Sequence, residues 1–285
     1  MILLYDGSAM FVLLNGKFVD EREAKVSVMD NGFLYGDGVY ETLRTYGGKI
    51  WQVEEHLRRL RSSAGMLGID VPWPDLKIGS WLKGLCRMNG FKESRIRITV
   101  TRGVNGMEFE GSRKPTILIQ AGVLKDIPLS AAKNGVKVVS VKFQRLMPEA
   151  KTISLLPMIL AKRAAERAKA YEALFVDGDG FVLEGSVTNV FMVKSGRVFT
   201  PGRDVLPGTT AKALVEALKK SVFKVVKKKI RLSELKKADE VFLTNAPRGI
   251  VPVAYVDGLK IGVGKPGVIT RKIAGIFKEF ICKNI

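Results

Sequence analysis

Three short segments hold the residue types that could do chemistry together. Lys151-Thr-Ile-Ser-Leu-Leu-Pro157 supplies a loop lysine, Glu184-Gly-Ser-Val-Thr-Asn-Val-Phe191 a carboxylate after a hairpin, and Leu206-Pro-Gly-Thr-Thr210 a glycine-threonine turn that opens a helix. A primary amine condenses with a carbonyl to form an imine. A carboxylate holds a ring nitrogen protonated, and the N–H groups at a helix start favour phosphate. In this order the three describe a site for a phosphorylated, imine-forming cofactor. Singly each is bland: loop lysines are usually solvated, a Glu before Gly is usually a turn residue, and most glycine-capped helices bind nothing.

The elements that must position these groups read as α+β. Asn15-Gly16 joins Phe11–Leu14 to Lys17–Val19 and is a strong hairpin signal. Val39–Tyr46 and Ile50–Gln52 flank Gly47-Gly48 as a second hairpin. A helix is expected over Glu54–Leu67, with Leu57, Leu60, Ala64 and Leu67 at helical spacing. Pro74 opens another that stops at Asn89-Gly90. Arg95–Arg102 alternates as a strand with one apolar face, and Ile117–Ala121 reads as its neighbour. The pattern loosens over 122–133, which places a linker there between a domain of 1–121 and one of 134–285. The second part begins with a strand at Val136–Val141 and a helix from Pro157 to Ala170. Short strands with Asp-Gly or Ser-Gly turns follow, and helices near Thr210–Ser221 and Val268–Ile281 complete a barrel-like α+β domain.

Composition is that of an ordinary globular enzyme: 46% apolar and 26% charged over 285 residues. The apolar stretches Met1–Leu4 and Ala9–Leu14 are broken by Asp6-Gly7-Ser8 and lack a basic leader, so they read as neither signal peptide nor membrane span. Two distant cysteines and one histidine argue against a metal site and for the reducing cytoplasm. The net charge of +19 is the oddity. It fits a polyanion partner, or, with more weight, a solvated lysine-rich surface of the kind common in heat-adapted proteins. The basic run Lys219–Lys237 is interleaved with apolar residues, as a strand and a short helix would be, and carries no nucleic-acid-binding signature.

The order and wording of the three segments resemble the class IV (fold-type IV) pyridoxal-phosphate enzymes. This family comprises branched-chain aminotransferases, D-amino-acid aminotransferases and aminodeoxychorismate lyases. The resemblance runs from about Leu14 to Ile281. It implies a smaller N-terminal α/β domain, a larger C-terminal barrel-like α+β domain, pyridoxal 5′-phosphate as cofactor and a homodimer. By this resemblance Lys151 forms the Schiff base and shuttles the proton, and Glu184 pairs with the pyridine nitrogen. Ser186 and Asn189 belong to the same Glu-Gly-x-x-x-Asn-x-Phe motif, and Leu206 lies against the ring. Gly208, Thr209 and Thr210 hold the phosphate, although Thr209 replaces the family's Ile and Ala211 its Arg. His56-Leu-Arg-Arg-Leu60 puts the family's phosphate-binding arginine at Arg59, with His56 structural.

The stretch Asp30–Arg44 is again family-like, and Tyr35, Tyr40 and Thr42 are expected to wall the substrate pocket. A substrate carboxylate needs a cation, for which Arg44, Arg97 and Arg248 are candidates. Arg248 lies in a loop with Asn245 and Ala246. Subfamily marks conflict. Leu156 stands where branched-chain enzymes place a tyrosine, while Gly103–Gly111 lacks the Arg-x-His pair of D-amino-acid enzymes. Thr244-Asn-Ala-Pro-Arg-Gly-Ile-Val-Pro-Val253 resembles the lyases. The expected activity is transamination between an aliphatic or D-amino acid and a 2-keto acid such as 2-oxoglutarate or pyruvate. The alternative is the lyase, which releases pyruvate and 4-aminobenzoate. A basic nucleic-acid-binding protein is the third reading.

Overall fold

A computed structural model describes residues 10–107, 114–125 and 128–285. The apolar start through Ala9, residues 108–111 of the Gly103–Gly111 loop and residues 126–127 of the expected linker lie outside the described residues. Contacts divide the chain into two units. One comprises the residues up to Leu124 with Ala150–Ser154, the other Lys125–Glu149 with Leu155–Ile285.

The first unit contains, in chain order, β1 (Phe11–Leu14), β2 (Lys17–Asp20), α1 (Asn31–Tyr35), β3 (Gly38–Tyr46), β4 (Lys49–Ile50), α2 (Val53–Met66), α3 (Asp75–Asn89), β5 (Ser94–Thr101) and β6 (Thr116–Val123). Its six strands form one antiparallel sheet in the order β2-β1-β6-β5-β3-β4. Asn15 and Gly16 both take positive φ (50° and 85°), the primed turn that matches strand twist. Alternation then assigns the faces. In β3, Val39 and Leu43 point into a core with Ile96, Ile98 and Val100 of β5, covered by Leu57 and Leu60 of α2 and Ile78, Leu82 and Leu85 of α3. Tyr40, Thr42 and Arg44 therefore share the opposite face, where Tyr40 registers with Thr99, and Thr42 with Arg97.

The second unit contains α4 (Leu129–Asn134), β7 (Val136–Lys142), α5 (Leu156–Arg167), β8 (Glu172–Val176), β9 (Phe181–Gly185), β10 (Asn189–Lys194), β11 (Arg197–Thr200), α6 (Thr209–Leu218), β12 (Val225–Lys227), β13 (Ile230–Arg231), α7 (Leu232–Leu235), β14 (Glu240–Asn245), β15 (Gly249–Val256), β16 (Leu259–Lys260) and α8 (Val268–Lys283). The expected barrel-like sheet is a single mixed one, β12-β11-β10-β14-β15-β7-β8-β9-β13 with β16 on β15. Its central strands β8, β10 and β14 are buried on both faces, so they read as apolar runs rather than as alternations. α6 and α8 pack on β14 and on each other. Phe191 of β10 and Phe242 of β14 are cross-strand partners whose rings stack at 4.9 Å with both side chains fully buried.

Two details depart from the sequence reading. The segment around Lys151, assigned there to the second domain, belongs by its contacts to the first unit. Its main chain runs beside β3: Tyr40 N–H donates to Lys151 O, and Ile153 N–H to Gly38 O, both at 2.9 Å. The expected linker also ends in a short helix, α4, capped by Gly135 at φ 73°. A prediction follows from the ring stack: Phe191→Ala should lower unfolding free energy by about 3–5 kcal/mol, measured as a shift in denaturant midpoint. Phe191→Leu should cost much less.

Candidate active site

In the first unit the Lys151 side chain lies against an aromatic wall. Its Nζ is 4.4 Å from the centroid of the Tyr40 ring, and the Arg97 guanidinium is 4.0 Å from that same centroid. The main chain of Lys151 is held at both ends, since its N–H donates to Ser63 Oγ of α2 at 3.0 Å and its carbonyl accepts from Tyr40 N–H. A lysine whose main chain is fixed and whose stem carries four rotatable carbons suits an amine that must be attached and released. Arg97 Nε donates to Thr99 Oγ1 at 3.2 Å, and burial pushes its guanidinium below the usual arginine range.

The core face of the same strand carries a charge. Glu41, in phase with Val39 and Leu43, is fully buried. Its Oε1 accepts from Arg59 Nε at 2.7 Å and its Oε2 from Arg59 Nη2 at 2.8 Å, a bidentate fork. His56 Nδ1 lies 2.7 Å from Oε2. Burial pushes the Glu41 carboxyl up, but Arg59 and His56 together outweigh it and hold it at about 2. Burial lowers His56 despite the neighbouring carboxylate, so the ring is neutral at neutral pH and donates its Nδ1–H. His56 is thus a satisfied buried histidine, as expected from its place on the helix.

In the second unit, Glu184 is the penultimate residue of β9 and is almost fully buried. Arg145 Nε donates to its Oε1 at 2.8 Å, and Leu206 N–H to its Oε2 at 3.1 Å. Asn189, at the start of β10, donates from Nδ2 to Leu206 O at 2.9 Å. The Leu206 peptide is therefore gripped on its N–H side by β9 and on its carbonyl side by β10. Gly208 follows, where a Cβ would come within 1.9 Å of Asn189 Oδ1, so a larger residue would have to displace the Asn189 side chain. It is the N-cap of α6, and Thr209 and Thr210 are buried in the first turn. Ser186 Oγ donates at 2.5 Å to Glu172, a fully buried carboxylate that also pairs with Lys162 at 3.0 Å.

The structure thus brings Lys151, Tyr40, Thr42 and Arg97 to one face of the first sheet, and Glu184, Asn189, Leu206 and Gly208 to one cluster of the second unit. Arg44 lies further along β3, stacked 3.8 Å over Tyr46. Tyr35 is partly exposed and donates its hydroxyl to Met107 O at 3.1 Å. Asn245 ends β14 and Ala246 follows in the β14–β15 turn, where Asn245 Oδ1 accepts from Arg248 N–H at 2.9 Å; Arg248 acts electrostatically on Tyr171. Sequence reading missed Glu41, Ser63 and Arg145. Only Glu41 left a signal, a carboxylate at a core position of an alternating strand. The donor types suit a phosphorylated, ring-bearing carbonyl cofactor: the first unit offers an amine beside an aromatic face and an arginine, the second a buried carboxylate with a fixed plane and a helix start opened by glycine.

Comparison with known proteins agrees with this chemistry. The family described as Amino-transferase class IV matches residues 38–256. A Methanocaldococcus jannaschii protein provisionally named a branched-chain-amino-acid aminotransferase is 37% identical over 283 residues, covering 96% of this chain and 97% of the relative. A D-alanine aminotransferase of Bacillus licheniformis is 31% identical, covering 93% and 94%. The T.th. branched-chain amino acid aminotransferase crystallised with pyridoxamine 5′-phosphate superposes with a TM-score of 0.91 at 26% identity, over 97% of this chain and 95% of that one. The chain belongs to the class IV aminotransferases. It is a fold-type IV enzyme that uses pyridoxal 5′-phosphate to move an amino group between an amino acid and a 2-keto acid.

The depressed Glu41 carboxyl has a pH consequence. Its stabilisation is complete above its ordinary value of 4.5 and is lost as pH falls towards about 2, where the folded carboxyl takes up its proton. Glu41→Gln should flatten the fall of the thermal midpoint with pH over that acid window.

Proposed function

We propose that the enzyme transaminates an aliphatic amino acid of the branched-chain kind against a dicarboxylic 2-keto acid such as 2-oxoglutarate. The observation that carries this reading is the Tyr40 ring, approached by the Lys151 amine and by the half-buried Arg97 guanidinium. Arg97 takes the distal carboxylate of the keto acid. Thr42, half-buried and in register with Arg97, borders the space for an aliphatic side chain, with the buried Tyr40 ring behind. Two further points support this choice: the 37% identity to the archaeal relative, and a Gly103–Gly111 loop without an Arg-x-His pair.

When bound, pyridoxal phosphate supplies a carbonyl and an electron-withdrawing ring that acidify the substrate's α-carbon proton. Lys151 Nζ would take up that proton and hold it as ammonium for return to the cofactor's former carbonyl carbon, two bonds along. Glu184, held in plane by Arg145 and Leu206 N–H, would keep the ring nitrogen protonated. Arg59 and the N–H groups of Thr209 and Thr210 would hold the phosphate. Ser186, Asn189, Leu206 and Gly208 shape the cofactor's seat, while Asn245, Ala246 and Arg248 border the substrate.

The partner we assign is a second copy of the chain. Met29, Phe33, Leu34 and Tyr35 leave apolar surface exposed beside Val104 and Met107, and Phe33 and Met107 are 72% and 77% exposed. Met29 O accepts from Asn105 N–H, and Tyr35 reaches Met107 O, so these residues form one patch of the kind that association covers. The compartment we assign is the cytoplasm, supported by two free thiols, Cys86 and Cys282.

The test is the absorbance spectrum of the purified enzyme during separate additions of L-leucine, L-glutamate and D-alanine. Both L-amino acids should convert the cofactor band to its amine form and D-alanine should not. Conversion by D-alanine alone would replace the substrate reading, and a spectrum indifferent to all three would replace the transamination partners altogether. Lys151→Ala should abolish the conversion. Arg97→Met should lower kcat/KM for L-glutamate about 100-fold, the loss of one charge-assisted bidentate contact, with a far smaller effect on L-leucine.

A further inference from the structure

We propose that Glu41 is a positioning residue for the cofactor phosphate, fixing the plane and reach of the Arg59 guanidinium from the core side of β3. The inference rests on the reading above that Arg59 holds the phosphate, and it adds a residue to which that reading gives no part.

Glu41 puts a charge at a position where the fold needs only an apolar side chain. β3 places Val39, Glu41 and Leu43 on one face, and Val39 and Leu43 belong to the apolar core. A buried ion pair is a poor way to stabilise such a position, because desolvation consumes most of the Coulombic gain and apolar residues of similar volume usually do as well or better. What the pair does supply is orientation. Both Glu41 oxygens are engaged by Arg59, through Nε and Nη2, so the guanidinium cannot rotate about its long axis without breaking two charge-assisted hydrogen bonds. His56 fixes the carboxylate in turn, at 2.7 Å on Oε2. The carboxylate side chain is fully buried, whereas that of Arg59 keeps 10% of its surface exposed, so the arginine alone reaches outward.

A second observation ties this device to the reactive lysine. Arg59 and Ser63 are four residues apart on α2 and so share a face, separated by about 6 Å along the axis. Ser63 Oγ accepts from the Lys151 main-chain N–H. One helix turn therefore separates the group expected at the phosphate from the group that roots the amine. Glu41, His56 and Arg59 lock that helix to β3, whose Tyr40 N–H holds the Lys151 carbonyl from the other side. The carboxylate thus sets the arginine directly and the lysine through the α2–β3 pair.

The experiment titrates the full-length chain with pyridoxal 5′-phosphate and, separately, with pyridoxal, which lacks the phosphate. It compares wild type, Glu41→Gln, Arg59→Gln and the double variant. Glu41→Gln should weaken pyridoxal-phosphate binding about 10- to 100-fold while changing pyridoxal binding less than about threefold, as expected for a loss confined to the phosphate contact. The double variant should bind no more weakly than Arg59→Gln alone, because Glu41 acts through Arg59. Equal losses for both ligands, or additive losses in the double variant, would overturn the proposal and leave Glu41 a packing residue. If Arg59→Gln weakens both ligands alike, the phosphate role of Arg59 fails and this proposal with it. If Arg59→Gln discriminates and Glu41→Gln does not, only the part given to Glu41 fails. Glu41→Asp keeps the charge one methylene short. Should the glutamine variant not fold, the aspartate variant is expected to show the same selective loss in smaller measure, and an unselective loss there would overturn the proposal equally.

Discussion

Glu41 accepts hydrogen bonds from Arg59 and His56 at a position that strand periodicity gives to the core, and the geometry of the first unit is organised around that contact. It ties α2 to β3. Those two elements between them hold the main chain of Lys151, through Ser63 Oγ on one side and Tyr40 N–H on the other. A carboxylate withdrawn from water tolerates neither rotation nor loss of a partner, because an uncompensated buried charge costs several kcal/mol, on the order of 3–5. Rigidity at the lysine's root is thereby obtained at a distance from the amine.

The second unit uses carboxylates in the same manner. Glu184 binds Arg145 and the Leu206 N–H, and Glu172 gathers Lys162, Ser186 and the Ala173 N–H. Both lie where β8 and β9 meet turns; Glu184 fixes loop backbone at Leu206, and Glu172 holds the hydroxyl of Ser186 in the β9–β10 turn. Glu172 also explains Gly185, where an added Cβ would meet Thr188 Oγ1 at 2.0 Å and Glu172 Cγ at 3.2 Å. The turn between β9 and β10 is packed down on a charge, and a larger residue would lift it off.

Much of this was legible before any coordinates. Helices α2, α3, α5, α6 and α8 announce themselves by period and by Pro or Gly at their ends, and β3, β5 and β6 by alternation. The order of a lysine, a Glu-Gly motif and a glycine-opened helix pointed to the family and its cofactor, which the family match bears out. The partners of those residues were not legible. Arg145 and Glu184 are 39 positions apart and Glu41 and Arg59 are 18 apart, so nothing local links them; the pairings exist only because strands and helices bring them together. The allegiance of Lys151 was hidden for the same reason, since a run between two domains carries no sequence mark of the sheet it will lie beside. The lysine-rich stretch from Lys219 became intelligible through topology: β12 is the edge strand of the ten-stranded sheet, and charge along an exposed edge keeps other strands from adding to it.

The division of β3 into two faces reaches beyond any one substrate. Odd-numbered residues from Val39 to Thr45 are committed to the interior, while Tyr40, Thr42 and Arg44 look the other way, matched across the ladder by Thr99, Arg97 and Arg95. On the substrate assignment proposed above, such a strand keeps foldability on one row and selectivity on the other. Point substitutions on the outward row leave the interior register undisturbed. An insertion or deletion of one residue exchanges the two rows and forfeits both at once. Lineages carrying this strand are therefore free to diversify by substitution and are barred from doing so by changes of length.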